Sequence, residues 1–583
     1  MKNPSPPFSQ KLADLLGRIY PDLDPNILAS HVVDAFWPEG THRRKRSRVP
    51  GNRLWSEHDA LLITYGNSMI DGKHKPLDLL HDFLVTRLKG VVNGVHILPF
   101  FPYTSDDGFA VTDYRAVNPQ LGDWADINRI GDEFLLMSDL VLNHVSSQGP
   151  WFNAYRQGIA PYDKFFFEAS PEDDLSMVVR PRTTPLLQEV ETVNGTKHVW
   201  CTFSHDQIDV NFENPEVLLE FLRIIRLHID MGVRIIRLDA VAFIWKEPGT
   251  PSIHLPQTHA IVRLIRLLCD FTTETVVLLT ETNVPKAENL SYFGNRNEAH
   301  AVYNFPLPPL ILHALHSGTA RYLNKWQQGM PPAQLGCAYL NFSASHDGIG
   351  MRPAEGVLPD AEKEKMIETV KSLGGLVSMR MLPDGTESPY EINCTFYEAL
   401  RGTFNGEDDW QFERFVCSQT MVMSLEGIPA FYIHSLLATP NDHEQVARRG
   451  MNRAINRHRW DYPSLLEQLE DPDTPQSRVL GALSARLRIR SRQTAFHPNA
   501  TQFTLNLDER IFGVWRQSLD RDQSIFALHN VSDQEVSVSA SSLNMIEDED
   551  WIDVLSGERI AVTGEEIVLQ PYQCRWITNR TGG

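Results

Sequence analysis

The feature that most constrains the fold of this chain is the alternation of short, β-branched apolar runs with helical patterns. The runs predict eight strands, at 60–65, 94–100, 134–142, 233–240, 275–280, 301–305, 338–343 and 428–433. Amphipathic helices are predicted in the gaps between them, for example at 76–88 and 215–231. Eight strands that are each followed by a helix predict an α/β fold of the (β/α)8, or TIM barrel, type.

The lengths of the gaps predict the remaining domains, because ordinary connections run only about 2 to 6 residues. A long gap after the third strand predicts a small inserted domain at 146–209, and a second at 346–427 predicts a lid with an irregular stretch at 374–389. Past residue 497, apolar and polar residues alternate, which predicts an antiparallel β domain at 498–583. The barrel is then assigned to 1–145 and 210–497.

Charge and cysteine usage narrow the class of partner and the compartment. The 583 residues include 54 Lys and Arg against 74 Asp and Glu, a formal net charge of −20 that repels phosphate backbones and anionic membranes. No apolar stretch approaches the roughly 18 residues that span a bilayer. The six cysteines are scattered singly, without a C-x-x-C pair. We therefore expect a cytoplasmic protein that binds neither nucleic acid nor membrane.

Ionisable residues lie where four of the predicted strands end. They are Asp139 to His144 at the third strand, Arg237 and Asp239 at the fourth, Glu281 at the fifth, and His346 and Asp347 at the seventh. Taken singly, such residues are more often helix caps, salt-bridge partners or structural histidines. In a (β/α)8 barrel, however, the ends of the strands meet at one mouth, where catalytic groups lie. The set therefore predicts an active site.

Two of these carboxyls are expected to have opposite tasks. Arg237 and Asp239 point to the same face of a strand, and an adjacent guanidinium lowers a carboxyl pKa and favours an ionised nucleophile. Glu281 follows the apolar run 276–279, and a carboxyl at an apolar rim has the raised pKa that a proton donor needs. Such a pair points to glycoside chemistry.

The same segments carry a family resemblance. Residues 139–144, 232–240, Glu281 and 345–347 resemble, in order, the four signature regions of the α-amylase family, glycoside hydrolase family 13. The resemblance covers nearly the whole chain from Ala60 onward. It implies a retaining mechanism on an α-glucoside, with Asp239 as nucleophile, Glu281 as general acid/base and Asp347 holding the distorted sugar ring. It also implies a glucosyl subsite completed by His144, Arg237 and His346.

Further details resemble the sucrose phosphorylase group of that family. Residues 99–102 and 105–109 resemble the segment that closes the glucosyl subsite, with Asp106 reaching the far hydroxyls and Phe109 packing on the ring. Residues 454–458 resemble the segment whose arginine, here Arg457, pairs with that aspartate. The resemblance implies a pocket that is closed after one glucose and excludes starch-like chains.

The attacking group is expected to be phosphate. Arg180-Pro181-Arg182 resembles the stretch that supplies a phosphate-binding arginine in these phosphorylases, matched here by Arg182, and Tyr390 resembles its tyrosine partner on the lid. A guanidinium fits a phosphate dianion through two hydrogen bonds. Without the neighbouring matches, an Arg-Pro-Arg stretch is more typical of an ordinary protein surface than of a phosphate site.

The acceptor is expected to differ from fructose. Glu391 follows Tyr390 where sucrose phosphorylases have glutamine, and the surrounding lid resembles phosphorylases of glucosylglycerol or glucosylglycerate. A carboxylate accepts hydrogen bonds from glycerol hydroxyls and repels a glycerate carboxylate. We therefore predict conversion of 2-O-α-glucosylglycerol and phosphate to α-D-glucose 1-phosphate and glycerol by double displacement, without a cofactor or a metal ion.

Four alternatives remain open. Three are enzymes of the same fold: a glucosylglycerate phosphorylase, a sucrose or sucrose 6'-phosphate phosphorylase, and a hydrolase of the same small α-glucosides. The fourth is a catalytically silent sugar-binding protein, which the presence of both Asp239 and Glu281 disfavours. The pattern of residues leaves the oligomeric state open.

Overall fold

The structure is a computed structural model that describes residues 7–39, 41, 43–44, 54–381, 386–545, 549–562 and 566–580. Its helices are α1 (Phe8–Ile19), α2 (Pro25–Phe36), α3 (Pro76–Phe83), α4 (Trp124–Gly131), α5 (Pro150–Arg156), α6 (Pro215–Asp230), α7 (Pro256–Asp270), α8 (Lys286–Ser291), α9 (Leu307–Ser317), α10 (Arg321–Gln328), α11 (Asp360–Ser372), α12 (Phe396–Ala399), α13 (Gln411–Ser424), α14 (Ile433–Leu436), α15 (His443–Arg449), α16 (Tyr462–Glu470) and α17 (Pro475–Arg490).

Its strands are β1 (Leu61–Thr64), β2 (Met69–Ile70), β3 (Gly94–Ile97), β4 (Leu135–Val141), β5 (His144–Ser146), β6 (Leu187–Thr192), β7 (Gly195–Trp200), β8 (Gln207–Asp209), β9 (Val233–Asp239), β10 (Val277–Thr280), β11 (Ala301–Tyr303), β12 (Ala338–Asn341), β13 (Ile349–Gly350), β14 (Leu376–Met381), β15 (Glu387–Asn393), β16 (Gly402–Thr403), β17 (Gly406–Glu407), β18 (Ile428–Tyr432), β19 (Trp460–Asp461), β20 (Thr501–Thr504), β21 (Ile511–Gln517), β22 (Ser524–Asn530), β23 (Val536–Ser539), β24 (Trp551–Asp553), β25 (Arg559–Ile560), β26 (Glu566–Leu569) and β27 (Cys574–Thr578).

Eight parallel strands close into a barrel, in the order β1, β3, β4, β9, β10, β11, β12 and β18. The ring closes where Leu61 of β1 lies beside Ala430 of β18. Each strand corresponds to one of the eight predicted runs, so the predicted (β/α)8 barrel is confirmed. Nearly every barrel-strand residue is buried, because helices cover the outer face and side chains fill the interior.

The barrel helices begin and end at residues that the local sequence dictates. Helix α6 starts with Pro215 at its first position, and the Asn214 side chain caps it by accepting a hydrogen bond from the Glu216 amide. Gly232, with a φ of +90°, turns the chain into β9. The helix predicted at 76–88 is α3 followed by a π-helical turn at Leu84–Leu88.

The segment between β4 and β9 leaves the barrel at its C-terminal face. Strand β5 pairs antiparallel with β8, so both ends of the segment meet beside the end of β4. Between them, β6 and β7 form a hairpin. This arrangement places the loop at 173–186 above the barrel mouth, where part of it borders the cavity described below.

The lid contains a β-hairpin, where an irregular stretch was expected at 374–389. Strands β14 and β15 pair antiparallel, and β15 also pairs with β13, directly after Asp347. A bulge between Ser378 and Met379 shifts the register opposite Pro389, which interrupts the alternation of apolar and polar residues that would have indicated strands. The expectation of irregular structure was therefore wrong.

The two ends of the chain add layers outside the barrel. Helices α1 and α2 pack on the barrel helices α7 and α6, an addition that the strand pattern did not predict. The predicted C-terminal antiparallel β domain is confirmed: β20, β21, β22, β27, β24 and β25 form one sheet, and β23 pairs with β26. All six cysteines are free and buried. Within the described ranges, no helix combines the length and hydrophobicity needed to cross a bilayer.

Candidate active site

The predicted nucleophile lies at the C-terminal end of β9, beside a guanidinium. Arg237 and Asp239 share one face of that strand, and Arg237 Nη1 lies 2.5 Å from Asp239 Oδ1. The same nitrogen also contacts Asp139 of β4, and all three side chains are buried. The arginine therefore fixes the orientation of the Asp239 carboxylate toward the barrel axis.

The predicted acid/base is held by the backbone that follows Asp239. The amide of Ala240 donates to Glu281 Oε2 over 3.1 Å, which brings the carboxyl at the end of β10 next to the end of β9. Ala240 adopts a left-handed conformation with a φ of +49°, which is uncommon for a residue with a Cβ. This turn aims the amide at Glu281.

Burial governs the ionisation of both carboxyls. It raises the pKa of Asp239 well above the usual range, and the nearby Glu281 carboxyl adds to the rise, against the opposing effect of Arg237. Arg237 acts to lower the pKa of Asp239, as expected, but burial outweighs it. Burial also raises the pKa of Glu281. Because Arg237 contacts Asp239 directly, a single negative charge shared by the pair lies on Asp239 and the proton lies on Glu281.

The predicted ring-holding carboxylate, Asp347, follows β12 and is ionised. Burial acts to raise its pKa, but Arg453, which contacts Asp347 Oδ1, together with Arg457 and Arg237 outweighs this, and the pKa lies far below the usual value. His346 Nε2 lies 3.6 Å from Asp347 Oδ2, and burial lowers the pKa of His346 to about 3, so the ring is neutral. Arg453 was not among the predicted site residues.

A rigid wall of rings and amides faces these carboxyls. The Phe109 ring stacks on His346 with their centroids 5.0 Å apart. The backbone carbonyl of Phe109 lies 3.1 Å from His144 Nε2, and Gln207 Nε2 lies within 3.4 Å of Asp106 and 3.2 Å of His144. Burial lowers the pKa of His144 to about 4, so its ring is also neutral. Gln207, from β8, is a further residue that the sequence patterns missed.

The expected ion pair of Asp106 with Arg457 is present but long, and the arginine donates its hydrogen bond to Asp107. Arg457 Nη1 lies 2.5 Å from Asp107 Oδ2 and 3.8 Å from Asp106 Oδ1, and Arg449 also pairs with Asp107. Both aspartates have a positive φ, at +52° and +50°, so side-chain direction does not follow the alternation of an extended chain. Asp107 anchors the arginine behind the pocket, and Asp106 lines the pocket itself.

Two adjoining cavities at the barrel mouth gather the predicted residues. The inner one, of about 90 Å³, is lined by Asp239, Glu281, Asp347, Asp106, Phe109, His144, Arg237, His346, Arg182, Tyr390 and Glu391. The outer one, of about 660 Å³, shares Glu281, Arg182 and Tyr390 with it. Arg457 lies behind the inner cavity. A glucosyl ring at Asp239 would therefore present its leaving group to the outer cavity.

The outer cavity is strongly basic. Four arginines line it: Arg180 and Arg182 from the loop before β6, Arg352 from the turn after β13, and Arg380 from β14. The Arg182 guanidinium lies 5.6 Å from the centre of the Tyr390 ring, and Arg380 pairs with Glu355 at 2.6 Å. Among the described residues of the lining, Glu281 is the one acidic side chain beside four guanidiniums, so the cavity favours anions. Arg352 gave no signal in the sequence.

Glu391 is already paired, which overturns the role expected for it. Arg453 donates to both of its oxygens, over 2.9 Å and 2.6 Å, and Asn393 donates over 2.5 Å. The side chain is buried, and although burial acts to raise its pKa, Arg453 holds that pKa below the usual value. A carboxylate whose oxygens are occupied in this way is less able to accept hydrogen bonds from glycerol hydroxyls and repels glycerate less than a free carboxylate would.

A buried lysine joins the inserted segment to the barrel. Lys246 Nζ lies 2.7 Å from Asn143 Oδ1 and 3.0 Å from Asp209 Oδ2. Asn143 Nδ2 in turn lies 3.3 Å from His144 Nδ1, so the lysine also supports the glucosyl subsite. Over the described part of the chain, no three His, Cys, Asp or Glu side chains are grouped to hold a metal ion.

Comparisons with known proteins agree with this geometry. The α-amylase catalytic domain matches residues 87–348. The chain is 44% identical over 549 residues to the glucosylglycerate phosphorylase of Spirochaeta thermophila, covering 91% of this chain and 93% of that one. It is 30% identical over 434 residues to the glucosylglycerol phosphorylase of Marinobacter adhaerens, covering 72% and 84%. The crystal structure of sucrose 6F-phosphate phosphorylase from Thermoanaerobacter thermosaccharolyticum has the same fold, with a TM-score of 0.72 at 23% identity over 88% of this chain and 98% of that one.

Proposed function

Because the chain belongs to the α-amylase family, glycoside hydrolase family 13, and is an α-glucoside phosphorylase within it, we propose that its glucoside is glucosylglycerate. The reaction then yields α-glucose 1-phosphate and glycerate. The higher identity to a glucosylglycerate phosphorylase than to a glucosylglycerol phosphorylase supports this alternative over the glycerol substrate first expected.

The observation that carries the proposal is the set of four arginines around the outer cavity. In a double displacement, glycerate and phosphate occupy this cavity in turn, and both are anions. Within the described ranges, Glu355, which pairs with Arg380, is the one carboxylate paired with these arginines. Glycerol, which is neutral, would leave the excess positive charge unused during the glycoside-binding step.

The paired state of Glu391 removes the objection to glycerate. That objection rested on a free carboxylate beside the acceptor. Arg453 holds Glu391 at hydrogen-bond distance and shares its positive charge between Glu391 and Asp347. The repulsion of an incoming glycerate by Glu391 is therefore reduced, and the four arginines that line the outer cavity attract the anion.

The proposed mechanism assigns one step to each carboxyl. Asp239 attacks the anomeric carbon while Glu281 gives its proton to the glycosidic oxygen, so the bond to glycerate breaks as the bond to Asp239 forms. Phosphate then attacks from the side that glycerate left, the bond to Asp239 breaks, and the ionised Glu281 takes up the proton that phosphate releases. Asp347 holds the sugar ring through its hydroxyls, and Arg182 orients phosphate.

The arginines also explain why an anion can attack here. After the first step Glu281 is ionised and faces the outer cavity, where it opposes the approach of phosphate. The guanidiniums of Arg182 and its neighbours offset this repulsion. They also supply enough N–H donors for every phosphate oxygen to accept a hydrogen bond. Water gains nothing comparable from them, which favours phosphorolysis over hydrolysis.

The test is product analysis with glucosylglycerate, glucosylglycerol and sucrose at equal concentration in phosphate buffer. We expect glucose 1-phosphate from glucosylglycerate at the highest kcat/KM. Replacing Arg352 by Gln is expected to raise the KM for glucosylglycerate by roughly tenfold, as for loss of one charged hydrogen bond, and to change the KM for glucosylglycerol less. The matched control is Arg223→Gln, because Arg223 is an exposed arginine on α6.

Three results would contradict the proposal. Free glucose as the main product would indicate a hydrolase. A preference for glucosylglycerol would return the protein to the substrate first expected, and a preference for sucrose would place it with the sucrose phosphorylases. An equal effect of Arg352→Gln on the charged and the neutral glucoside would show that this arginine does not contact the acid group.

A further inference from the structure

The outer cavity is much larger than the anions assigned to it. Its volume of about 660 Å³ falls in the range of roughly 300 to 1,000 Å³ that accommodates drug-sized ligands. Phosphate and glycerate are far smaller, and in a double displacement they occupy the cavity one after the other. Most of its volume therefore serves neither of them.

Much of the remaining lining is apolar. Leu175, Met177, Val178 and Val179 precede the two arginines of the inserted segment and line the same cavity, together with Phe243 and Val284. Met177 is 55% exposed, and Leu175, Val178, Val179 and Phe243 are half-buried, so part of each of these side chains is open to a ligand; Val284 is buried. We call these six residues the apolar wall.

The apolar wall lies next to the opening between the inner and outer cavities. Phe203 lines both cavities and packs edge-on against Phe243, with their centroids 5.7 Å apart. Phe243 follows Asp239 by four residues, and Val284 follows Glu281 by three. A substituent on the carbon that carries the attacking hydroxyl would thus meet this wall directly.

We propose that the acceptor site takes 2-hydroxy acids that carry an apolar substituent, with the carboxylate on the arginines and the substituent on the apolar wall. The inference rests on the proposed glycerate site. With glucose 1-phosphate as donor, the bond from C1 to phosphate breaks as the bond to Asp239 forms, and Glu281 gives its proton to the departing phosphate. The hydroxyl of the acid then attacks C1, its proton passes to Glu281, and the glucoside of the hydroxy acid is released.

The test measures phosphate release from glucose 1-phosphate with glycerate, lactate, 3-phenyllactate and the neutral 3-phenylpropane-1,2-diol as acceptors, both enantiomers of each chiral compound being supplied. Because the added ring is partly buried on the apolar wall, the phenyl-substituted acid is expected to have a KM about tenfold below that of lactate. The diol, which lacks the carboxylate, is expected to be the weaker of the two phenyl acceptors.

Two variants locate the effect. The preference for the phenyl-substituted acid over lactate is measured as the ratio of their kcat/KM values. Met177→Ser is expected to reduce this ratio severalfold, because it removes apolar surface from the cavity mouth. Met379→Ser is the matched control, since Met379 is 41% exposed on the lid hairpin but does not line the cavity. It is expected to leave that ratio unchanged.

The outcomes separate this inference from the proposed function. If glycerate itself is no acceptor, the proposed function fails. If glycerate is used but 3-phenyllactate is no better than lactate, the inference alone is overturned. It is also overturned if the diol surpasses 3-phenyllactate, or if Met177→Ser leaves the preference intact.

Discussion

Replacing Glu391 by Gln should slow the chemistry of the glucosyl subsite and not merely the recognition of the acceptor. Glu391 holds two of the donors of Arg453, and Arg453 in turn contacts Asp347. A glutamine has the same shape but no charge, and in either orientation its NH2 group would face a donor nitrogen of Arg453 where Glu391 now accepts a hydrogen bond. The perturbation therefore reaches Asp347 through Arg453.

Packing transmits the change by a second route. Gly348 directly follows Asp347, and a Cβ built on it would lie 2.4 Å from Glu391 Cγ and 2.5 Å from Asn393 Nδ2. The backbone beside Asp347 thus rests against Glu391 without a side chain between them. Any rearrangement of residue 391 displaces the loop that carries the ring-holding carboxylate.

The magnitude follows from the strength of a charge-assisted hydrogen bond. Such bonds contribute about 1.5 to 3 kcal/mol each, and the variant weakens one such contact at Arg453. If that loss is expressed in the transition state, where Asp347 holds the distorted ring, kcat/KM falls by roughly 10- to 100-fold, since about 1.4 kcal/mol corresponds to tenfold.

The assay is the exchange of labelled phosphate into glucose 1-phosphate, which requires the glucosyl subsite and phosphate but no acceptor. A positioning role predicts that exchange slows by the same roughly 10- to 100-fold factor as the full reaction. Glu398→Gln is the matched control, because Glu398 pairs with Arg401 at 2.7 Å and does not line either cavity. Exchange at the wild-type rate, with only the glycerate reaction slowed, would refute this reasoning and make Glu391 an acceptor ligand.

Three further predictions address other parts of the site. Glu281→Gln should abolish turnover of the natural glucoside but spare glucosyl fluoride, whose leaving group needs no proton. Because the pKa of Glu281 is raised, wild-type activity on the natural glucoside should persist above the ordinary carboxyl range and fall as the pH rises through that pKa. With glucosyl fluoride as substrate, this fall at high pH is expected to vanish. Arg182→Ala should raise the KM for phosphate by roughly 10- to 100-fold, well beyond the effect on the KM for the glucoside, and an unchanged phosphate KM would show that this arginine serves only the protein surface. Lys246→Met should lower the free energy of unfolding by about 3 kcal/mol, measured by urea denaturation, because it leaves Asp209 buried without its cation. Lys325→Met, at an exposed site on α10, should have little effect, and an equal loss of unfolding free energy in both variants would contradict the role of the buried pair.

The barrel and the positions of the catalytic carboxyls could be predicted from sequence because both depend on local rules. Runs of β-branched residues mark buried parallel strands, and parallel strands in a closed barrel bring their C-terminal ends to one mouth. Asp239 and Glu281 follow such runs directly, so their convergence required no knowledge of side-chain contacts. The lid hairpin was missed because the bulge opposite Pro389 interrupts the two-residue period.

The partners of the charged residues were decided only by the tertiary structure. Arg457 and Asp107 are 350 positions apart and Arg453 and Glu391 are 62 apart, and no local period relates such pairs. Two successive left-handed residues aim Asp107, and not Asp106, at Arg457.

The acceptor site shows most clearly how tertiary contacts change the charge that a residue presents. In sequence, Glu391 is a free carboxylate that disfavours glycerate. In the folded chain it is paired with Arg453, and four arginines from three separate segments line the outer cavity. The type of a residue is set by the sequence, but the charge that a site presents is a sum over neighbours that only folding brings together.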